Sequence, residues 1–169
     1  MKKMILSLVM ALTAMGAFAQ FEAGKTYVAT SMSGLGLSYS KNDKVNLNLR
    51  ATAGQLLADN LMMLGFVSYE YGGVDKKHQF ELGVGGRYYI IQNGLYLGLS
   101  ASYAFNRLYN AEQDRMKNYH YCYITPELGY AFFLGEHVTI EPAIYYSMAV
   151  NDFANYSKVG LRIGVGYYF

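Results

Sequence analysis

The chain closes with Val159-Gly160-Leu161-Arg162-Ile163-Gly164-Val165-Gly166-Tyr167-Tyr168-Phe169. Counting back from the last residue in steps of two gives Phe169, Tyr167, Val165, Ile163, Leu161 and Val159. The residues between them are Tyr168, Gly166, Gly164, Arg162 and Gly160. Successive side chains of a strand point to opposite faces. The segment therefore reads as a strand with one apolar face and one face that is mostly glycine with a single charge.

The same alternation recurs upstream. Segments separated by turn signals lie near residues 26–39, 45–57, 61–72, 79–92, 95–106, 119–133, 137–149 and 157–169. Each is long enough for a tilted transmembrane strand of roughly 9–11 residues. The expected fold is all-β: an eight-stranded antiparallel transmembrane barrel. Composition agrees. The chain has 18 Tyr, nine Phe, 18 Gly and only two Pro, and tyrosine suits both strands and a membrane–water interface.

Directly opposed residues of a hairpin must share a face, so pairings can be tested against the sequence. With Leu134-Gly135-Glu136 as a turn, Phe132 faces Val138, Tyr130 faces Ile140, Leu128 faces Pro142 and Ile124 faces Tyr146. The other face then pairs Gly129 with Glu141 and Glu127 with Ala143. A two-residue Asn93-Gly94 hairpin pairs Ile90 with Leu97 and Tyr88 with Leu99 outside, and Arg87 with Ser100 inside. Around Ala58-Asp59-Asn60 the pattern is less clean, because Met62, Leu64 and Phe66 fall on the face of Arg50 and Glu70. The first strand places Gly34 across from Arg50, with Leu35, Leu37 and Tyr39 outside. Pro126 and Pro142 fall inside strands, where the missing N–H calls for a local bulge.

The faces can be assigned. Arg50, Glu70, Glu81, Arg87, Glu127, Glu141 and Arg162 share one face with most of the glycines and alanines. Unpaired charge is expensive in a soluble core, and small neighbours make room for long side chains inside a crowded barrel. The opposite face is rich in Leu, Val, Ile and Tyr. In lipid every backbone group must be paired, so a closed barrel is the available β solution. An interior of about eight strands is only wide enough for side chains to fill. The seven charges are thus expected to form a barrel-interior network that plugs the barrel.

The N-terminus is a separate unit. Met1-Lys2-Lys3 precedes an apolar run, and Ala17-Phe18-Ala19 offers small residues at a peptidase site. Residues 1–19 are expected to be a signal peptide cleaved after Ala19, leaving 20–169 as one barrel domain. Removing Lys2 and Lys3 from the 14 basic residues leaves 12 against 12 acidic, so the exported chain is neutral. No basic patch or stripe points to nucleic acid. Cys122 is the single cysteine and reads as an apolar strand residue.

Thr125-Pro126-Glu127-Leu128-Gly129-Tyr130, Gly86-Arg87-Tyr88-Tyr89, the Ala58-Asp59-Asn60-Leu61 turn and the last strand through Phe169 together resemble the outer membrane protein beta-barrel domain family. These are small barrels of OmpA/OmpX-like architecture, and the resemblance covers nearly all of residues 20–169. It implies residence in the cell outer membrane, outer-membrane lipid as surroundings, and no cofactor. It also implies that the barrel-assembly machinery reads the last strand, with Leu161, Ile163, Val165, Tyr167 and Phe169 as the C-terminal signal. No peptidoglycan-binding domain is expected to follow the barrel.

The turns at 58–60, 92–94 and 134–136 are expected on the periplasmic side. The loops near 40–44, 72–78, 106–118 and 150–156 are expected outside. The longest loop carries Glu112, Asp114, Arg115 and Lys117 and reads as a solvated loop or a partner surface whose ligand the sequence does not name. The leading expectation is a non-enzymatic outer-membrane protein with a structural or surface-interaction role. The alternatives are a small porin-like channel and, less favoured, a lipid-modifying enzyme. Catalysis would need a nucleophile, a base and an orienting group within reach of one another. His120 with Ser147 is the combination available, and alternation puts the two on opposite faces. His78 belongs near the outer rim and His137 near a periplasmic turn. A soluble lipocalin-like barrel would need the opposite assignment of faces.

Overall fold

The computed structural model describes residues 21–39, 46–72, 77–90, 93–110, 115–150 and 157–169. The expected leader, with Ala17-Phe18-Ala19, lies outside the described residues, as do Glu112 and Asp114 and most of the loops expected near 40–44, 72–78 and 150–156. The strands are β1 (Thr26–Tyr39), β2 (Asn46–Ala58), β3 (Leu61–Gly72), β4 (Lys77–Tyr89), β5 (Leu95–Asn110), β6 (Arg115–Tyr130), β7 (Phe132–Phe133), β8 (Val138–Ala149) and β9 (Lys158–Tyr168). Neighbours run from β6 back through β5, β4, β3 and β2 to β1, then to β9 and β8, and β8 returns to β6. β7 continues β6 after a break at Ala131, so β6 and β7 fill one position of a closed, eight-stranded antiparallel barrel.

Closure joins the first strand to the last. Tyr27 pairs with Tyr168 and Ser33 with Arg162. The Thr26 N–H donates to the Phe169 carbonyl at 2.8 Å, and the Phe169 N–H donates back at 3.0 Å. A closed ring removes the unpaired edge that lipid could not satisfy.

The apolar face points outward. Val159, Leu161, Ile163, Val165, Tyr167 and Phe169 are all exposed, while Arg162 and Tyr168 between them are buried. About ten residue steps separate Val159 from Phe169, ~33 Å along the strand and ~25 Å in height at a tilt of ~40°. That is the height of an apolar band that matches a bilayer. Tyr69, Tyr71, Phe80, Tyr103 and Phe105 ring the loop end of the exposed face. Tyr88, Tyr167 and Phe169 are exposed at the turn end, with Tyr130 and Phe132 half-buried beside them. Leu82, Val84, Leu99, Ile124 and Ile144 fill the band between. Two aromatic girdles flanking an aliphatic band are the surface a bilayer demands.

The register departs from the sequence expectations in three places. At the β4–β5 turn Tyr88 pairs with Leu97 and Arg87 with Gly98, two residues from the expected partners. The turn is longer than Asn93-Gly94: the Ile90 N–H donates to the Leu95 carbonyl. The Asn93 side chain caps this turn from Leu95 N–H at 3.1 Å, with Gly94 at a φ of 103°. At the β7–β8 turn the shift is also two. Phe132 pairs with Ile140, and Glu127 with Tyr145 rather than Ala143. Gly129 lies opposite Ala143, not Glu141. A shift of two preserves every face, so alternation could not detect it.

The third departure concerns β1. Ser31, not Gly34, faces Arg50. The β1–β9 register jumps between Ser33 and Ser38, so Ser33 pairs with Arg162 but Ser38 with Gly160. This irregularity takes three extra residues on β1 and reverses its phase. Tyr39 pairs with Val159. By contrast the β2–β3 hairpin, the least tidy by pattern, has Arg50 opposite Ser68 and Leu49 opposite Tyr69, with each on the expected face.

Pro126 and Pro142 both fall at gaps in the β6/β7–β8 ladder. Pairing skips Thr125 and Pro126, and skips the positions between Gly129–Ala143 and Phe132–Ile140. A proline has no N–H for one neighbour, and these gaps are where its absence costs least. At the loop end the strands run further than expected. Leu108 pairs with Lys117 and Asn110 with Arg115, so much of the expected long loop is paired strand.

Candidate functional site: the charged barrel interior

Inward-pointing positions bring Arg50 from β2, Glu70 from β3, Glu81 and Arg87 from β4, Glu127 from β6, Glu141 from β8 and Arg162 from β9 into one buried column. Their contacts run along the barrel axis. Nearest the turn end, Arg87 Nη1 donates to Glu141 Oε2 at 2.8 Å. Its Nη2 donates to Glu127 Oε1 at 3.2 Å. Arg162 Nη1 donates to the other oxygen of Glu127. Arg87 thus bridges two carboxylates, and Glu127 bridges two arginines.

Glu141 takes further donors. Tyr27 OH donates to it at 2.6 Å and Thr139 Oγ1 at 2.8 Å, with Tyr168 OH at 3.4 Å. Buried carboxylates are tolerable only when their lone pairs are filled in this way. The guanidinium planes lie on aromatic rings. Arg87 sits 4.4 Å from the Tyr96 centroid, Arg162 4.5 Å from Tyr145, and Arg50 3.7 Å from Phe66. Guanidinium is weakly hydrated and stacks well, which suits it to such a site.

Towards the loop end the pairing loosens. Glu81 accepts from Ser102 Oγ at 2.6 Å, and Arg50 Nη2 stands 3.8 Å from Glu81. Beyond them Lys158 Nζ donates to Glu70 Oε2 at 2.5 Å. Lys158 is a site residue the sequence reading passed over, although it stands in the same two-residue phase as Gly160 and Arg162. With it, four basic side chains face four acidic ones among the described interior residues. The described part of the interior is electrically balanced.

Small residues make the column possible. Glu141 lies opposite Gly164, Arg87 and Glu127 lie on either side of Gly98, and Arg162 lies between Ala143 and Ser33. A Cβ on Gly129 would stand 2.4 Å from the Tyr96 ring, and one on Gly166 2.7 Å from Glu141 Oε1. A cavity of about 20 Å³ remains among Arg50, Arg87, Ser100, Thr125 and Glu127. That is room for roughly one water molecule.

A second group missed by the sequence reading closes the turn end. Tyr27, Tyr89, Tyr96, Tyr168, Leu56 and Met62 pack inside it with Phe21, all fully or nearly fully buried. Tyr89 and Tyr168 join hydroxyls at 2.7 Å. Tyr89 and Tyr168 share the phase of Arg87 and Arg162 on their own strands, which is the signal that could have found them; Tyr27 lies on the strand whose phase the sequence reading reversed. Phe21 precedes the first strand and carries no such signal.

The C-terminal set Leu161, Ile163, Val165, Tyr167 and Phe169 stands apart from the column, on the outer face. His120 is also outside, stacked on Tyr103 at 5.7 Å. Ser147 is inside, bonded to Thr125 Oγ1 at 2.9 Å, so the sheet separates the two. His78 is exposed beside Tyr69, and His137 Nδ1 bonds the Tyr168 carbonyl oxygen at 2.8 Å. Cys122 is exposed on the outer face. Among the described residues no cluster of His, Cys, Asp and Glu is placed to hold a metal.

No family model and no curated protein matches the sequence. Solved structures do match the fold. Neisserial surface protein A superposes with a TM-score of 0.63 at 16% identity, over 87% of this chain and 98% of that one. The N-terminal β-barrel domain of OprF from Pseudomonas aeruginosa gives 0.60 at 13%, over 87% and 98%. Ail, the attachment invasion locus protein of Yersinia pestis, gives 0.58 at 14%, over 87% and 99%. A further structure of Ail holds the heparin analogue sucrose octasulfate. The chain therefore has the fold of the small eight-stranded outer-membrane barrels.

Proposed function

We propose that this protein is an integral outer-membrane barrel with a side-chain-filled interior and a non-enzymatic, structural or surface-interaction role. One observation carries the reading: an apolar outer belt with aromatic girdles encloses a column of charge that is neutral and internally paired among the described residues. The belt requires lipid, and the column fills the space a channel would use. Barrels of this fold include Ail, an attachment invasion protein by its description, which supports a role at the cell surface for the loops here. In this reading both chain ends and the three short turns face the periplasm. Residues 1–19 are the cleaved leader, and the assembly machinery reads the strand that ends in Phe169.

The test is extraction and migration. The protein should fractionate with outer membranes and need detergent. It should shift on a detergent gel between unheated and boiled samples. Solubility without detergent would overturn the membrane reading. Sustained porin-like conductance in a planar bilayer would replace the plugged barrel with a channel.

A further inference from the structure

We propose that the segment before β1 is a built-in stopper for the turn end of the barrel, with Phe21 as its sealing residue. Phe21 is 0% exposed although it belongs to no strand. Its ring stacks on Tyr89 at 3.7 Å between centroids and 13° between planes. It meets Phe133 and Tyr168 edge-on at 5.6 and 5.8 Å. A stray terminal residue would not find three aromatic partners on three different strands.

The backbone fixes the ring in place. The Asn60 N–H donates to the Phe21 carbonyl at 2.9 Å, and the Gly24 N–H donates to the Leu56 carbonyl at 2.8 Å. The Ala23 N–H donates to Asp59 Oδ1 at 3.0 Å. The segment is thereby strapped to the β2–β3 turn, whose Asn60 takes a left-handed φ of 65°. Termini are ordinarily loose unless tied down in this way.

The position explains what the seal protects. Phe21 covers Tyr89 and Tyr168, whose hydroxyls meet each other, and Tyr168 reaches Glu141. Glu141 anchors the turn-end half of the charge column through Arg87. Water entering beside Phe21 would reach this pair first and weaken it by raising the local dielectric. The seat also depends on closure, because Tyr89, Phe133 and Tyr168 lie on β4, β7 and β9. Phe21 can bury itself only after the last strand has joined the first.

Nitration of tyrosines on the folded barrel in detergent, mapped by mass spectrometry, tests the seal. In the unaltered protein the exposed Tyr167 should react, while Tyr89 and Tyr168 should be protected. In Phe21→Ala, Tyr89 and Tyr168 should react several-fold faster, with the buried Tyr145, further along β8 from the turn end, unchanged. Continued protection of Tyr89 and Tyr168 in a Phe21→Ala barrel that still shows the folded gel band would overturn the proposal. So would their ready reaction in the unaltered protein. Should Phe21→Ala fail to fold, Phe21→Trp decides the matter, since the chain has no other tryptophan. Blue-shifted emission shielded from acrylamide, gained together with the folded band, supports the stopper. Red-shifted, readily quenched emission from the folded barrel rules it out.

Discussion

Among the described residues the two halves of the barrel interior are both charged and both balanced, yet they are held differently. In the turn-end half Glu141 collects Arg87, Tyr27 and Thr139, and Arg87 also holds Glu127. Aromatic rings close that half from below. In the loop-end half Glu70 meets Lys158 and Asn48, and the Lys158 side chain keeps 16% of its exposure. One half is a connected network in which Glu141, Arg87 and Glu127 each hold more than one partner. The other joins Glu70 to Lys158 and Asn48 nearer to water. Cost of disruption follows desolvation more than the number of charges, because an orphaned ion in a dry site has nowhere to find compensation.

That contrast gives an order of effects. Arg87→Met should be the most damaging, because it leaves buried Glu141 without a cation and Glu127 with Arg162 alone. The expected loss is about 3–5 kcal/mol, the range for breaking a buried pair from one side. The midpoint of denaturant unfolding in detergent, followed by the gel shift, measures it. Lys158→Met should cost less, about 1–3 kcal/mol, because the buried Glu70 it leaves behind keeps the Asn48 amide as a donor. If Lys158→Met proves as damaging as Arg87→Met, the two halves are not distinct. The smallest effect on the finished barrel is expected outside the column, at Phe169→Asp. A charge on the lipid face near an interface costs about 0–1 kcal/mol. The same variant should nevertheless lower the yield of protein inserted in cells, measured by heat-shifted band per total protein. Normal insertion of Phe169→Asp would separate the last strand from any assembly signal.

The position of residues along a strand was readable to different depths. Alternation in Val159–Phe169 assigns Arg162 inward and Ile163 outward because side chains have a period of two. The same period hides even errors. Tyr88 opposite Leu97 and Tyr88 opposite Leu99 both satisfy the faces, and only the real length of the Asn93 turn chooses between them. The odd slip in β1 was equally hidden, since nothing local marks the jump between Ser33 and Ser38. Met62, Leu64 and Phe66 looked misplaced on the charged face. Inside, Met62 packs with the turn-end aromatics and Phe66 carries the Arg50 guanidinium. An interior that must hold arginine needs apolar surfaces for it to lie against.

The sequence by itself pointed to the fold class, to the strands outside the long loop and, from β2 onward, to the inward placing of the seven charges, because these follow from strand periodicity and the cost of exposing polar groups to lipid. The tertiary structure alone decided which charges meet. Glu127 joins Arg87 to Arg162 across strands 40 and 35 residues away, and Lys158 completes the balance with Glu70 from 88 residues away. Such pairings depend on register, strand tilt and the reach of long side chains across the barrel, none of which leaves a local trace. Phe21 is the extreme case. Its place is set by three rings that come together only when the barrel closes.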